Sequence, residues 1–446
     1  MKLTRAFGLR GGETVAFAGA GGKTSMMFAL AGELPPPVVL TTTTHLGAWQ
    51  AQFAETHHIL AFPDSLQKFD EFDVRSVLLT GPVDVNERLT GLDGQISQAV
   101  HQYCAARGHS LLIEADGARQ KPLKAPADYE PVIPSWVDHV VVMAGLSGLG
   151  KTLDANSVHR PEMFANIADL KPGEEIRVEH LVRVLGSALG GLKGIPEGAG
   201  RSLFLNHAEG EVRMAQGARI ARELCKIYDR VLVGSMHHPG GDGPIFSAHS
   251  RTAGIILAAG GSERLGQPKQ LLGWYGVPFV VQVAKNAISA GLAPIHVVTG
   301  ADHALVENAL ADLPVQCIYN PHWAEGQSTS MITGLAALPT RCERVMFLLS
   351  DQPQISPLLI RQLIERHDVQ RGPITAPMVQ GQRGNPVLFG RETFDALKAI
   401  SGDKGGRGVF SKYKVDYVTW IDRRDALDVD QEGDIDKLRR AYYVEV

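Results

Sequence analysis

The chain has 446 residues, and at about 150 residues per domain this length calls for more than one hydrophobic core. Apolar residues make up 44% and charged residues 21%, a globular mixture that excludes a disordered chain. Lys and Arg number 44 against 48 Asp and Glu, for a net charge of −4. That balance removes any general electrostatic case for wrapping nucleic acid or coating an anionic membrane, and leaves room for a small anion in a local basic pocket.

The opening MKLTRAFGLRGGET has no apolar run before its glycines, which argues against a secretory signal. No stretch reaches the roughly 18–20 apolar residues of a membrane span. Cys104, Cys225, Cys317 and Cys342 are widely spaced and form no CxxC, so neither a disulfide framework nor a cysteine zinc site is supported. The expectation is a cytoplasmic protein.

Residues 14–17 read as a short apolar strand running into AGAGGKTS, and VVLTTTTH (38–45) as a β-branched strand entering a polar loop. A helix at 95–108 leads to the strand HSLLIEADG (109–117), with further strands at 139–145 and 201–210. A helical stretch, 211–228, feeds a strand at 230–235. Short apolar runs bounded by glycine and charge suit buried parallel strands with helices on both faces. Residues 234–252 are rich in Gly, Pro, His and Ser, which puts a domain boundary near 250 and divides the chain into 1–250 and 251–446. The pattern then restarts: a strand at 254–257 runs into AAGGSERLGQPK, followed by a helix (277–291), a strand (294–300), a strand ending in an acid (344–353) and an amphipathic helix (357–368). The expected fold is two three-layer α/β domains: a P-loop-like N-terminal domain and a Rossmann-like C-terminal domain with a mostly parallel sheet.

In the first half, Gly19, Gly21, Gly22, Lys23 and Thr24 follow a strand. Small residues there let backbone N–H groups surround a phosphate, with Lys23 as a mobile charge and the Thr24 hydroxyl on a magnesium ion. The full GxxxxGK[ST] pattern needs glycine at 17, where this chain has Phe17. Thr41 to Thr44 fit either hydroxyls aimed at such a ligand or plain β-propensity. Glu114 and Asp116 end a strand where a carboxylate can hold the metal, and Asp116 is the residue assigned to it. Arg119, Lys121 and Lys124 follow closely and fit either an anion site or a solvated loop.

The stretches GAGGKTS, TTTTHLG, 112–134, VHRPE and LFLNHAEG resemble the accessory proteins of selenium-dependent molybdenum hydroxylases. The resemblance implies a nucleotide-binding fold, with ATP or GTP as the ligand and a molybdenum hydroxylase as the partner. Where such proteins often show Asn-Lys at the base-binding strand end, this chain has Asn206-His207.

In the second half, Leu257, Ala258, Ala259, Gly260 and Gly261 place small residues at a strand exit, and Arg264 and Lys269 bring two cations to the same anion. Six ordered motifs, from LAAGGSERLGQPKQLLGWYGVPFV to DVDQEGDI, resemble the MobA-like nucleotidyltransferases and, within them, the molybdenum cofactor cytidylyltransferases. The resemblance implies transfer of CMP from CTP to molybdopterin, with Arg264, Lys269 and Asp351 as catalytic groups. It also implies Mg²⁺ held by Asp351 and by Asp430 in preference to Asp428. Gly326, Ser328 and Ser330 resemble the substrate-side loop. Asn385 stands where many relatives have histidine, and Arg407 is placed to clamp a substrate phosphate. The alanine form Leu257-Ala258-Ala259-Gly260 points to cytidine, where guanylyltransferase relatives usually read LAGG. Open alternatives are a GTP-using or sugar- or alcohol-phosphate nucleotidyltransferase, and a first half that only binds or delivers under nucleotide control.

Overall fold

Val15, Ala16 and Phe17 are consecutive and all buried, yet they serve different cores. Val15 and Phe17 pack with Met26, Leu40 and Leu112 on one side of a sheet, while Ala16 packs with Val39, Ile113 and Val140 on the other. Side chains alternate across a strand, so a strand apolar on both faces must lie between two layers. The computed structural model, which describes residues 1–63, 66, 74–237, 243–261, 267–422 and 434, builds this arrangement in each of two units, Met1–His249 and Ser250–Val446.

The sheet of the first unit runs, in spatial order, Ile245–His249, Arg230–Gly234, Gly200–Asn206, His139–Gly145, Thr14–Gly19, Ser110–Glu114, Val38–Thr42, Ser76–Thr80 and Thr56–Ile59. All neighbours are parallel except the first pair, where Ile245–His249 closes an edge antiparallel to Arg230–Gly234. Parallel pairing needs crossover connections, and helices supply them. Gly94–Arg107 is one such helix; the Asp93 side chain caps it by accepting from Ile96 N, and Gly108 ends it in the left-handed conformation. Thr14–Gly19 lies centrally, so its carboxyl end and that of Ser110–Glu114 open side by side.

The sheet of the second unit keeps a parallel majority, as expected, but is mixed. Gln316–Tyr319, Ile295–Thr299, Ala253–Ala258 and Arg344–Leu349 form a parallel run. Beyond it Val387–Gly390 is antiparallel both to Arg344–Leu349 and to Ile374–Val379. The sheet is mixed because the connections there are short: Gln380 and Gly381, both at positive φ, turn Ile374–Val379 directly back into Gln382–Arg383. Val415–Trp420 rejoins in parallel beside Ile374–Val379. Both faces are again covered, with Ile256 and Leu348 in one core and Ile255 and Phe347 in the other. Among the described residues no helix is long and apolar enough to cross a membrane.

Candidate functional site

In the first unit the glycine turn is built by backbone geometry. Gly19 has φ +95°, and a Cβ there would lie 2.3 Å from the Met143 carbonyl oxygen, so the strand can end this close to its neighbour only without a side chain. Gly22, at φ +113°, turns the chain into the helix Lys23–Glu33. Lys23 is buried: its Nζ donates to Gly19 O at 2.7 Å and lies 3.1 Å from Asp116 Oδ1 and 3.9 Å from Glu114 Oε1. Burial acts to lower the Lys23 pKa, but the facing carboxylates of Asp116 and Glu114 outweigh it and raise it. Glu114 is pushed above the usual carboxylate range, chiefly by burial, against the pull of Lys23 and the Thr24 hydroxyl.

Asp116 does not reach Thr24. Its carboxylate accepts from Gly19 N at 3.0 and 3.1 Å and pairs with Lys124 Nζ at 2.9 Å. Glu114 takes the Thr24 hydroxyl instead, at 2.7 Å. Glu114 is therefore the carboxylate that meets the Thr24 hydroxyl, and Asp116 lies between two buried lysines, Lys23 and Lys124. Lys124 continues to Glu130 at 2.7 Å, and Arg160 closes on the same carboxylate at 2.5 Å. Arg119 is exposed and outside this network. Thr41 Oγ1 donates to Leu79 O and Thr42 Oγ1 to Glu114 O, so these hydroxyls fasten neighbouring strands. Asn206 is also committed: its amide donates to Gly21 O at 2.7 Å and accepts from Met236 N at 3.0 Å. The His207 ring meets Ser147 Oγ at 2.8 Å.

In the second unit a cavity of about 420 Å³ opens at the carboxyl ends of Ala253–Ala258 and Arg344–Leu349. Leu257, Ala259, Gly260 and Gly261 form one wall; Gly326, Gln327 and Ser330 bring the start of the helix Gln327–Ala336; Lys269 and Asp351 complete it. Lys269 Nζ is 2.6 Å from Asp351 Oδ2, and both remain partly exposed. Ala258 and Ser328 are buried behind the lining. A second cavity, about 280 Å³, includes Asn385 and Arg407 and shares Leu257, Gln327 and Leu349 with the first. The expected groups Arg264, Asp428 and Asp430 lie outside the described residues. Among those described, no cluster of three His, Cys, Asp or Glu side chains is arranged to hold a metal.

Residues 15–162 match the family model described as YqeC protein, and residues 254–417 the MobA-like NTP transferase domain. The uncharacterized protein YqeC of Escherichia coli K12 is 32% identical over 203 residues, covering 43% of this chain and 75% of that protein. The chain belongs to the YqeC family. Its YqeC-like unit is fused to a MobA-like nucleotidyltransferase domain, and the chain is accordingly an enzyme of nucleotidyl transfer. The purine catabolism protein PucB of Bacillus subtilis 168 is 27% identical over 199 residues, 42% of this chain and 96% of that protein. The probable molybdenum cofactor guanylyltransferase of Bacillus cytotoxicus is 30% identical over 139 residues, 30% of this chain and 66% of that protein.

Several groups at the transferase cavity escape a reading by motif type. Gln270 is buried, and its amide donates to Ala258 O at 3.1 Å and Gly260 O at 2.6 Å, holding the small-residue exit in place. Asn320 donates to Ser330 Oγ at 3.0 Å and Thr329 Oγ1 at 2.9 Å, which fixes the helix start. Arg383 lies 3.9 Å over the Phe410 ring at the second cavity. Gln270 lies inside LAAGGSERLGQPKQLLGWYGVPFV, and an uncharged amide or a lone arginine announces no chemistry until its neighbours are known. In the YqeC-like unit Gln50 was equally silent, and its amide donates to Thr24 Oγ1 at 3.1 Å.

Proposed function

We propose that the transferase unit moves CMP from CTP to the terminal phosphate of molybdopterin in the molybdenum cofactor and releases pyrophosphate. The observation that carries this reading is the pair of adjoining cavities, which share Leu257, Gln327 and Leu349 while Lys269 and Asp351 line only the first. A nucleotide in the first cavity presents its α-phosphate toward an acceptor in the second. An acceptor phosphate oxygen, already anionic at neutral pH, attacks the α-phosphorus; the bond to the β-phosphate bridging oxygen breaks, and pyrophosphate leaves with that electron pair. No general base is required, so the work is alignment and charge stabilisation.

Lys269 stabilises charge on the phosphates once its ammonium leaves Asp351. Gly326 and Gln327 bring the start of the helix Gln327–Ala336 to the cavity wall, and a helix start favours phosphate. Arg264 is the second cation of this reading. The Asp351 carboxylate is a hard oxygen donor on the cavity wall and fits Mg²⁺, with Asp430 as its partner. When bound, that ion would offset negative charge on the phosphates. Asn385 and Arg407 face the acceptor, Arg407 as a bidentate clamp for its phosphate.

The likeness to a probable guanylyltransferase favours GTP as a second reading. Pyrophosphate release with molybdopterin-type cofactor separates the two. Release with CTP and not GTP is expected, falling by about a hundredfold or more in Asp351→Ala. Release with GTP alone would overturn the base assignment, and release with neither nucleotide the reaction itself.

For the YqeC-like unit, the reading is a nucleotide phosphate held at Gly19, Gly21, Gly22, Lys23 and Thr24, with ATP or GTP as the ligand. Lys23 and the Thr24–Glu114 pair, where the helix Lys23–Glu33 starts beside the end of Ser110–Glu114, support it. Such a unit would gate delivery of the finished cofactor to a molybdenum hydroxylase, with the selenium-dependent hydroxylases as the candidate class.

A further inference from the structure

We infer that Gln50 is a positioning residue that reports occupancy of the Thr24 site to the exposed aromatic segment Ala48–Phe53. The inference rests on the reading of Gly19–Thr24 as a nucleotide phosphate site. A threonine hydroxyl has one hydrogen and two lone pairs. Thr24 gives its hydrogen to Glu114 Oε2 at 2.7 Å, and one lone pair takes the Gln50 amide at 3.1 Å. The other end of that amide is equally committed, because Gln50 Oε1 accepts from Gly47 N at 2.8 Å. A carbonyl oxygen facing an N–H leaves the NH₂ group facing Thr24, so the orientation is self-consistent. Gln50 thus ties the first turn of the helix Lys23–Glu33 to the turn that opens Ala48–Phe53.

That segment is one short 3₁₀ stretch with no buried residue. Trp49 is 56% and Phe53 53% exposed. Phe53 also packs on Phe28, from the same helix as Thr24, with ring centroids 5.5 Å apart. The segment therefore has an apolar anchor at one end and a polar latch nearer the other. One lone pair stays uncommitted, and a cation that takes it weakens the oxygen as an acceptor and repels the Gln50 N–H group, so it competes with the latch. Releasing the latch leaves the Phe53 anchor in place and frees the part that carries Trp49, whose ring lies edge-on 5.7 Å from Phe53. A ligand shifts such an equilibrium only through differential affinity, and the coupling must be reciprocal: a chain without the latch binds that ligand more tightly.

The test uses the full chain with ATP or GTP and Mg²⁺. The Trp49 contribution to emission is taken as the difference between wild type and Trp49→Phe, which removes the signal of Trp323 at the transferase cavity. Binding to the YqeC-like unit is followed separately, as the calorimetric site lost in Lys23→Ala. The expected result is a Trp49 change on nucleotide addition in wild type, absent in Gln50→Ala, with the variant binding about fivefold more tightly. Nucleotide binding without a Trp49 change, or an undiminished change in Gln50→Ala, overturns the coupling and leaves the phosphate-site reading standing. Absence of any site sensitive to Lys23→Ala overturns both.

Discussion

His159 shows how a single side chain can set the acid limit of the YqeC-like unit. Its pKa is lowered from the ordinary 6.5 to about 4, mainly by burial and further by the neighbouring Arg160 and Lys124 charges. As pH falls, the unfolded chain takes up this proton before the folded one does. Stability is therefore lost between about pH 6.5 and pH 4, and regained as pH rises through that window. Glu130 adds a second loss at lower pH. Burial alone would raise its pKa, but hydrogen bonds from Arg160 and Lys124 hold it below the usual 4.5. The thermal midpoint of this unit should fall across the histidine window, and His159→Gln should flatten that part of the profile while leaving the carboxylate part. A profile unchanged by the substitution would assign the acid sensitivity elsewhere.

At the scale of elements, the phosphate-loop reading depends on how closely one strand end can approach another. Gly19→Ala places a Cβ 2.3 Å from a backbone oxygen, at a φ that alanine rarely adopts. The substitution should destabilise the YqeC-like unit by about 2 kcal/mol or more, read as a lowered midpoint in denaturant with an unchanged slope. Alanine tolerated there at no cost would show that the turn is looser than its geometry. The strand and helix periods around this turn were readable from residue types, because apolar runs and glycine breaks are local signals. The destinations of its polar groups were not. Thr41 and Thr42 look like ligand hydroxyls beside a glycine-rich loop, yet each bonds a carbonyl that arrives from a distant strand. Glu114 and Asp116 are two residues apart, and only the pairing of Ser110–Glu114 with Thr14–Gly19 decides which one meets Thr24.

At the scale of the whole molecule, each unit has its own cores on both faces of its own sheet. A fragment of residues 250–446 should therefore fold and retain nucleotidyl transfer at a rate within about tenfold of the full chain, measured by pyrophosphate release. Loss of activity in a folded fragment would show that the YqeC-like unit contributes to catalysis. The two α/β units, the glycine turns and the acid at residue 351 were legible in residue order alone, since periodicity, small-residue turns and strand-end carboxylates are written over neighbouring positions. Tertiary structure decided the rest: the antiparallel insertion of Val387–Gly390, the Lys269–Asp351 pair, the shared wall of the two cavities, and the Gln50 latch. Each joins positions far apart in the chain, and an amide or a lysine takes on a role only when folding sets a particular oxygen within 3 Å or so of it.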